Sequence, residues 1–267
     1  MINGYEIIDA HCHIYPEKIA DKAVNGTDTF YGITSKRKGT AQDLIDEMHL
    51  SNVDKFVVQS VATTPRQVKS INEFVAKEVE LYGEFLIGLG TLHQDSQTMK
   101  EDVSHLLELG LKGVKLHPDI QNFKIDEERY FEIYELCEKH NLPILMHTGD
   151  YRYDNSNPNR VIPVLETFKN LTLIGAHFGG WSMYDEASKK LCKYDNFFVD
   201  CSSAFYQLDK SDAKKIINRY GTSKVLFGTD YPMWDAVDEL EYFFSLGFSE
   251  EDNKKMLSEN VKRVLKF

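Results

Sequence analysis

Two histidines separated by a single residue, His11 and His13, stand where the first apolar run of the sequence ends. Ile7 and Ile8 indicate a buried strand, and successive side chains of a strand point to opposite faces. His11 and His13 therefore share one face, with Cys12 on the other. Two neighbouring imidazoles at the exit of a strand could form half of a metal site.

Eight short apolar runs, rich in β-branched residues, recur along the chain with helical patterns between them. They cover residues 6–14, 55–61, 85–92, 113–117, 144–147, 172–177, 197–201 and 225–229. Eight strands that alternate with helices predict an α/β fold of the (β/α)8 TIM-barrel type. A doubly wound open sheet is the alternative, but no Gly-x-Gly-x-x-Gly motif follows the first run. Without a linker or an internal repeat, residues 1–267 are predicted to form one barrel domain of the metal-dependent type.

Two helix starts and one long connection can be predicted between these runs. Thr40 with Asp43, and Ser249 with Asp252, match the pattern of a helix N-cap and its third helical residue. Residues 15–39 are predicted to form a long irregular segment after the first strand. A loop of that length is more often functional than idle.

Polar side chains that could do chemistry gather at the predicted carboxyl ends of the strands, where a barrel enzyme carries its active site. They are His11 and His13 at the end of the first strand, His117 at the end of the fourth, His147 at the end of the fifth, His177 at the end of the sixth and Asp230 at the end of the eighth. Imidazole and carboxylate groups suit a divalent ion such as zinc, with coordination left open for water. A bound zinc would make hydroxide available at neutral pH, and an adjacent histidine or carboxylate could accept the proton.

The composition narrows the class of partner. The chain carries 42 acidic and 31 basic residues, for a net charge of −11. Such a surface repels nucleic-acid phosphates and anionic lipid, so we expect no nucleic acid and no membrane partner. We find no signal-peptide pattern and no apolar stretch of about 20 residues. Four cysteines without a Cys-x-x-Cys pair are typical of reduced thiols. We therefore expect a cytoplasmic enzyme with a small-molecule substrate, and whether it forms a homo-oligomer stays open.

Four motifs together resemble the amidohydrolase superfamily, and within it the amidohydrolase-2 family, the subgroup related to aminocarboxymuconate-semialdehyde decarboxylase. They are the first-strand His-x-His, the fifth-strand His, the sixth-strand His-x-Gly-Gly and the eighth-strand Gly-Thr-Asp-Tyr-Pro. The resemblance covers nearly the whole chain. It implies that one divalent ion, with zinc as the first expectation, is held by His11, His13, His147 and Asp230.

The resemblance also implies how the proton is handled and how many ions bind. His177 would activate or orient the water instead of serving as a principal ligand, and Asp230 could shuttle the proton. Binuclear relatives place a carboxylated lysine or a glutamate at the end of the fourth strand. This chain has His117 there, with Lys115 one pleat below on the same face, and this departure favours one metal.

Four residues near the strand ends are predicted to contact the substrate. His117 is either a substrate contact or a buried histidine bonded to a carbonyl. Trp181 and Tyr231 flank the sixth and eighth strand ends and could form an apolar substrate wall or pad the core. Arg152, in the polar loop after the fifth strand, could grip a substrate carboxylate.

Three classes of function remain in view. The first is a metal-dependent hydrolase that uses an activated water on an amide, a lactone or a related ester bond. The second is a metal-dependent, non-oxidative decarboxylase of an aromatic or enoic acid. The short chain and the lack of a clear pair of carboxylate-binding arginines favour hydrolysis. The third, a non-enzymatic metal-binding barrel, is disfavoured because structural zinc sites are closed and usually rich in cysteine.

Overall fold

The computed structural model describes residues 4–267, in which nine short strands alternate with helices. The strands are β1 (Ile8–His13), β2 (Lys55–Gln59), β3 (Leu86–Gly88), β4 (Gly90–Thr91), β5 (Val114–Leu116), β6 (Ile144–Met146), β7 (Leu173–Gly175), β8 (Phe197–Asp200) and β9 (Val225–Leu226). Leu89 separates β3 from β4, which together form the predicted third strand. The nine strands therefore occupy the eight predicted positions.

All of the strand pairs are parallel and run in chain order, in the sets β1-β2-β3 and β4 to β9. Backbone hydrogen bonds also join the last strand to the first. The amide of Ala10 donates to the carbonyl of Phe227 at 2.9 Å, and the amide of Asp230 donates to that of His11 at 2.9 Å. The sheet is thus closed, and the predicted TIM barrel is confirmed.

Helices follow the strands around the outside of the barrel. They are α1 (Glu17–Tyr31), α2 (Ala41–Ser51), α3 (Val68–Tyr82), α4 (Met99–Glu108), α5 (Pro118–Gln121), α6 (Phe131–His140), α7 (Pro158–Thr167), α8 (Tyr184–Leu191), α9 (Lys210–Tyr220), α10 (Ala236–Ser245), α11 (Glu250–Lys254) and α12 (Asn260–Leu265). Both predicted N-caps are confirmed, because the hydroxyls of Thr40 and Ser249 each accept from an amide three residues on, at 3.2 Å. Within residues 4–267, no helix is both long and apolar enough to cross a membrane.

Helix α1 lies inside the segment that the sequence predicted to be irregular, so that prediction is wrong for Glu17–Tyr31. Gly26 and the polar residues that follow it have a low intrinsic helix propensity. The helix instead buries Ala20 and Val24 on one face, and tertiary packing of such a face outweighs propensity. It ends where Gly32 adopts the left-handed conformation, with φ of 67°.

A layer of apolar side chains fills the lower part of the barrel. Ile8, Val57, Leu145 and Leu226 point inward from four strands and pack with Val264 of α12, which closes the amino-terminal end. The opposite end is lined by polar side chains. This division places the chemistry at the carboxyl ends of the strands.

Candidate active site

The imidazoles of His11 and His13 converge on the carboxylate of Asp230 at the carboxyl end of the barrel. The Nε2 atoms of the two rings are 3.2 Å apart. Oδ1 of Asp230 lies 3.2 Å from Nε2 of His11 and 3.4 Å from Nε2 of His13. All three side chains are buried, and their ligand atoms lie within 4.8 Å of one another. Three of the predicted metal ligands therefore share one site.

Asp200 fixes the orientation of the His11 ring. Its Oδ2 atom lies 2.9 Å from Nδ1 of His11. Burial by itself would raise the pKa of Asp200, but the contact with His11 and the hydrogen bond from Ser202 hold it below the ordinary value. The ionised carboxylate can only accept, so Nδ1 of His11 carries a hydrogen. When the ring is neutral, its lone pair is on Nε2, which faces His13 and Asp230. A carboxylate behind a histidine commonly orients a metal ligand in this way.

The charge on Asp230 completes a donor set that suits a cation. Burial would raise the pKa of Asp230, but the interaction with His11 and the hydrogen bond with His13 keep it well below the ordinary value. An anionic oxygen and a bare imidazole nitrogen thus point at one another across 3.2 Å. Two electron-rich atoms at this distance, without a hydrogen between them, fit a divalent ion such as zinc or manganese.

Lys115 adds a cationic group to the same cluster. The side chain is 1% exposed, and its Nζ atom lies 2.9 Å from Nε2 of His11. Burial lowers the pKa of Lys115 to about 8, although Asp230 and Asp200 partly oppose that shift. The sequence predicts that Lys115 lies one pleat below His117 on the same face of the strand. The long side chain extends the rest of the way to the predicted ligands.

His177 presents a bare nitrogen to the site. Its Nδ1 atom lies 2.9 Å from the backbone carbonyl of Ser202, which can only accept, so Nδ1 carries the hydrogen. Burial lowers the pKa of His177, which keeps the ring neutral and leaves Nε2 without a proton. Nε2 lies 4.0 Å from Oδ2 of Asp230. The acceptor nitrogen of His177 therefore lies beside the predicted metal ligands, where it also accepts a hydrogen bond from Nδ1 of His147 at 3.1 Å.

His147, the fourth predicted ligand, lies on the far side of His177. Its Nδ1 atom is 3.1 Å from Nε2 of His177, and it does not belong to the group formed by His11, His13 and Asp230. Its Nε2 atom is buried without a hydrogen-bond partner and lies 3.7 Å from Oδ2 of Asp119. The structure thus brings three predicted ligands together and places the fourth one side chain away.

Two of the four residues predicted to contact the substrate lie close to this cluster. The ring of His117 stacks on that of His147, with centroids 4.1 Å apart and planes inclined by 5°. His117 also lines the cavity above the site. Trp181 is buried, and its ring packs edge-on against Tyr31 at 5.3 Å. It does not line the cavity itself.

The other two are engaged with the protein itself. Arg152 forms a two-pronged ion pair with Asp150, from Nε to Oδ1 at 2.9 Å and from Nη2 to Oδ2 at 2.7 Å. Tyr231 is fully buried, and its hydroxyl donates towards Asp43, with Oδ2 at 2.8 Å. These positions give no support to a substrate contact for Arg152 or Tyr231.

A cavity of about 740 Å³ opens above the cluster and extends outward between α1 and α3. Near the ligands its wall is polar, whereas farther out it is largely apolar, with Ile19, Phe30, Val61, Ile71, Phe74 and Met233. Within residues 4–267, the cationic side chains that line it are Lys22 and Lys115, and none is an arginine. The volume suits a small organic molecule.

Sequence reasoning missed two residues that position this site. Asp200 lies at the end of the predicted seventh strand and Ser202 just after it, and they hold His11 and His177 through hydrogen bonds of 2.9 Å each. The rule that polar residues at barrel strand ends are functional could have found both. Tyr31 was also missed, because it belongs to the unpredicted helix α1.

Comparisons with known proteins agree with this architecture. A curated relative, 2-amino-3-carboxymuconate-6-semialdehyde decarboxylase from Dictyostelium discoideum, is 25% identical over 202 residues. The match spans 61% of this chain and only 55% of that relative. An uncharacterized TIM-barrel protein from Bordetella bronchiseptica superposes with a TM-score of 0.81 at 21% identity, over 98% of both chains.

A solved structure with a known activity is also similar in fold. The dihydroxybenzoic acid decarboxylase from Polaromonas, determined with bound manganese and the inhibitor 2-nitroresorcinol, has a TM-score of 0.77 at 15% identity. The superposition covers 98% of this chain and 97% of the other. At such low identity the two similar structures show the fold alone. The amidohydrolase family model Amidohydro_2, however, matches residues 8–267, and the chain belongs to that family of enzymes.

Proposed function

We propose that this protein is a metal-dependent, non-oxidative decarboxylase of a small aromatic or enoic acid. The observation that carries the choice is that the curated relative and the Polaromonas neighbour are both decarboxylases. Sequence reasoning favoured hydrolysis and kept decarboxylation as the alternative. The comparisons favour that alternative, since the curated relative and this neighbour in fold are both named as decarboxylases.

The proposed metal site consists of His11, His13 and Asp230, with His147 as the fourth ligand. The convergence of the first three supports their assignment, and His147 is buried one side chain away, next to His177. Zinc and manganese both suit such a donor set. A bound ion would supply Lewis-acid polarisation of the oxygens of the substrate.

In the proposed reaction, the bond between the carboxylate and its carbon breaks, carbon dioxide leaves, and the electron pair stays on that carbon. The carbon then takes a proton that comes from solvent. We assign the transfer of this proton to His177, whose Nε2 atom lies 4.0 Å from Asp230 and would first take the proton from solvent and then give it to the carbon. The hydrogen bond of Nδ1 to Ser202 holds the ring in place during the transfer.

The charges around the site suit an acidic substrate. Lys115 can offset the charge of a carboxylate near the cluster, at 2.9 Å from His11. The apolar outer wall of the cavity would cover a bound acid. Burying a carboxylate in such surroundings costs free energy, which favours its conversion to neutral carbon dioxide.

Hydrolysis remains the second candidate, and one observation favours it. A bare imidazole nitrogen beside Asp230 could equally accept the proton of a water molecule that attacks an amide, lactone or ester carbonyl. The positions of His177 and Asp230 suit either chemistry.

Isotope labelling separates the two reactions. The protein would be loaded with zinc or manganese and offered dihydroxybenzoates, 2-amino-3-carboxymuconate-6-semialdehyde, lactones and amides. We expect release of carbon dioxide and, in heavy water, one deuterium on the carbon that lost it. Uptake of ¹⁸O from labelled water into a product carboxylate, without release of carbon dioxide, would establish hydrolysis instead. The metal-free protein is the control.

A further inference from the structure

Tyr31, the last residue of α1, lines the cavity above the site. Its ring lies 6.0 Å from that of His147, and it lines the same cavity as His11 and Asp230. The hydroxyl oxygen of Tyr31 is 2.7 Å from Nε2 of His117. The donor in this hydrogen bond determines where the proton of the tyrosine points.

The backbone of α5 fixes the tautomer of His117. The amide of Ile120 donates to Nδ1 of His117 at 3.3 Å, so Nδ1 must present a lone pair and cannot carry a hydrogen. A neutral imidazole has one N–H group, which must therefore be on Nε2. It follows that His117 donates to Tyr31, and that the tyrosine oxygen is the acceptor.

The hydrogen of the Tyr31 hydroxyl is then left for another acceptor. Within residues 4–267, His117 is the hydrogen-bond partner found for that hydroxyl. A phenol ionises only at about pH 10, so the Tyr31 hydroxyl keeps its proton at neutral pH. A donor that also accepts a hydrogen bond is polarised and becomes a stronger donor.

We propose that the Tyr31 hydroxyl donates a hydrogen bond to an anionic oxygen of the bound substrate, at the cavity wall that faces the metal ligands. The inference rests on the proposed function, because it requires an acid as substrate. The substrate carboxylate would then be held between Tyr31 on one side and the cluster of His11, His13 and Asp230 on the other. A neutral donor suits this role because it binds the carboxylate without stabilising it as strongly as an arginine would.

Benzoate affinity tests the proposal without the need for turnover. Titration calorimetry on the zinc-loaded protein would compare the wild type with Tyr31→Phe, which keeps the ring and removes the donor. We expect benzoate to bind about 10- to 100-fold more weakly to the variant, the factor typical of a hydrogen bond to a charged group. Tyr153→Phe is the matched control, because Tyr153 stacks on Phe30 but does not itself line the cavity. This variant should bind benzoate like the wild type.

Nuclear magnetic resonance tests the premise separately. Nitrogen-15 spectra of the zinc-loaded protein, with the His117 signals assigned through a His117→Gln variant, should show hydrogen on Nε2 and none on Nδ1. A hydrogen on Nδ1 would overturn the inference, and so would equal affinity of the wild type and Tyr31→Phe for benzoate, including no binding by either. If the expected difference is seen but no acid loses carbon dioxide, the proposed reaction fails and the donor assignment stands.

Discussion

The ammonium group of Lys115 donates a hydrogen bond to Nε2 of His11, at 2.9 Å. The direction of this bond follows from Asp200, which accepts a hydrogen bond from Nδ1 of the same ring. In the neutral ring Nε2 is then the acceptor. The Nε2 lone pair of His11 is also the one that a metal ion would use beside Asp230. A positive charge at this distance opposes the approach of a second cation.

Replacing Lys115 with methionine should therefore tighten metal binding. Methionine keeps most of the length of the side chain and removes the charge, and we expect zinc affinity to rise about tenfold, the equivalent of about 1.4 kcal/mol of repulsion. Competition with a chromophoric chelator would measure it. Lys112→Met, at an exposed position before β5, is the control. Loss of the ion from Lys115→Met would mean that the lysine helps to hold the metal.

Asp200 should matter for metal affinity although it would not touch the ion. In an Asp200→Asn variant, the amide no longer carries the charge that favours hydrogen on Nδ1 of His11. Changes behind a ligand of this kind usually cost about 10- to 100-fold in affinity or activity. Zinc titration would check this against Asp195→Asn, whose side chain is fully exposed. Unchanged affinity would show that the His11 ring needs no such support.

His177 should affect turnover more than metal retention. A His177→Asn variant cannot hold the proton, so we expect turnover to fall by about 10²–10⁴-fold, the usual contribution of general acid–base catalysis. Metal content, measured by plasma emission, should remain near that of the wild type. His140→Asn, at the exposed end of α6, serves as the control. Concomitant loss of the ion would identify His177 as a ligand.

Glu239 should make the fold less stable as the pH rises. Burial raises its pKa to about 8 from an ordinary value of 4.5. Between these two values the folded state binds more protons than the unfolded state, so the free energy of unfolding decreases with increasing pH. The group therefore contributes full stability below about pH 4.5, and this contribution is lost as the pH approaches 8.

Urea unfolding at pH 5.5 and pH 8 tests this effect. Glu239→Gln should exceed the wild type in stability at pH 8 by about 2–4 kcal/mol, from a shift of a few pKa units. At pH 5.5, one unit above the ordinary pKa of 4.5, the difference should be smaller, at about 1.4 kcal/mol. Glu241→Gln, exposed on the same helix, should show no such pH dependence. A constant difference between wild type and Glu239→Gln at both pH values would contradict the assignment.

The barrel and most of the proposed ligands could be predicted because each strand obeys a local rule. Apolar side chains fill the strand, and the polar residue that ends it faces the site. His11, His13 and Asp230 could be located in this way, and the closure of the barrel brings β1 beside the residues after β9. Asp200 obeys the same rule but is neither a histidine nor part of a recognised motif.

The remaining details depend on packing that the sequence pattern does not contain. Helix α1 is stabilised by burial of one face, although its residues have weak helical propensity. The placement of His147 against His177 depends on side-chain torsions, and no spacing rule predicts them. The ion pair between Asp150 and Arg152 also depends on side-chain placement, and it occupies the arginine that the sequence suggested for binding a substrate carboxylate.

Hydrogen bonds to other parts of the chain hold helix α1 near both of its ends. The amide of Tyr15, just before it, donates to the carbonyl of Gly39 at 2.8 Å. Nη1 of Arg152 donates to the carbonyl of Phe30 in its last turn, also at 2.8 Å. These two hydrogen bonds hold the α1 wall of the opening between α1 and α3, and we therefore expect the opening to keep a nearly constant width when a ligand enters. The enzyme should select molecules by their cross-section on entry, and the width of that opening should set which acids reach the metal ligands at all.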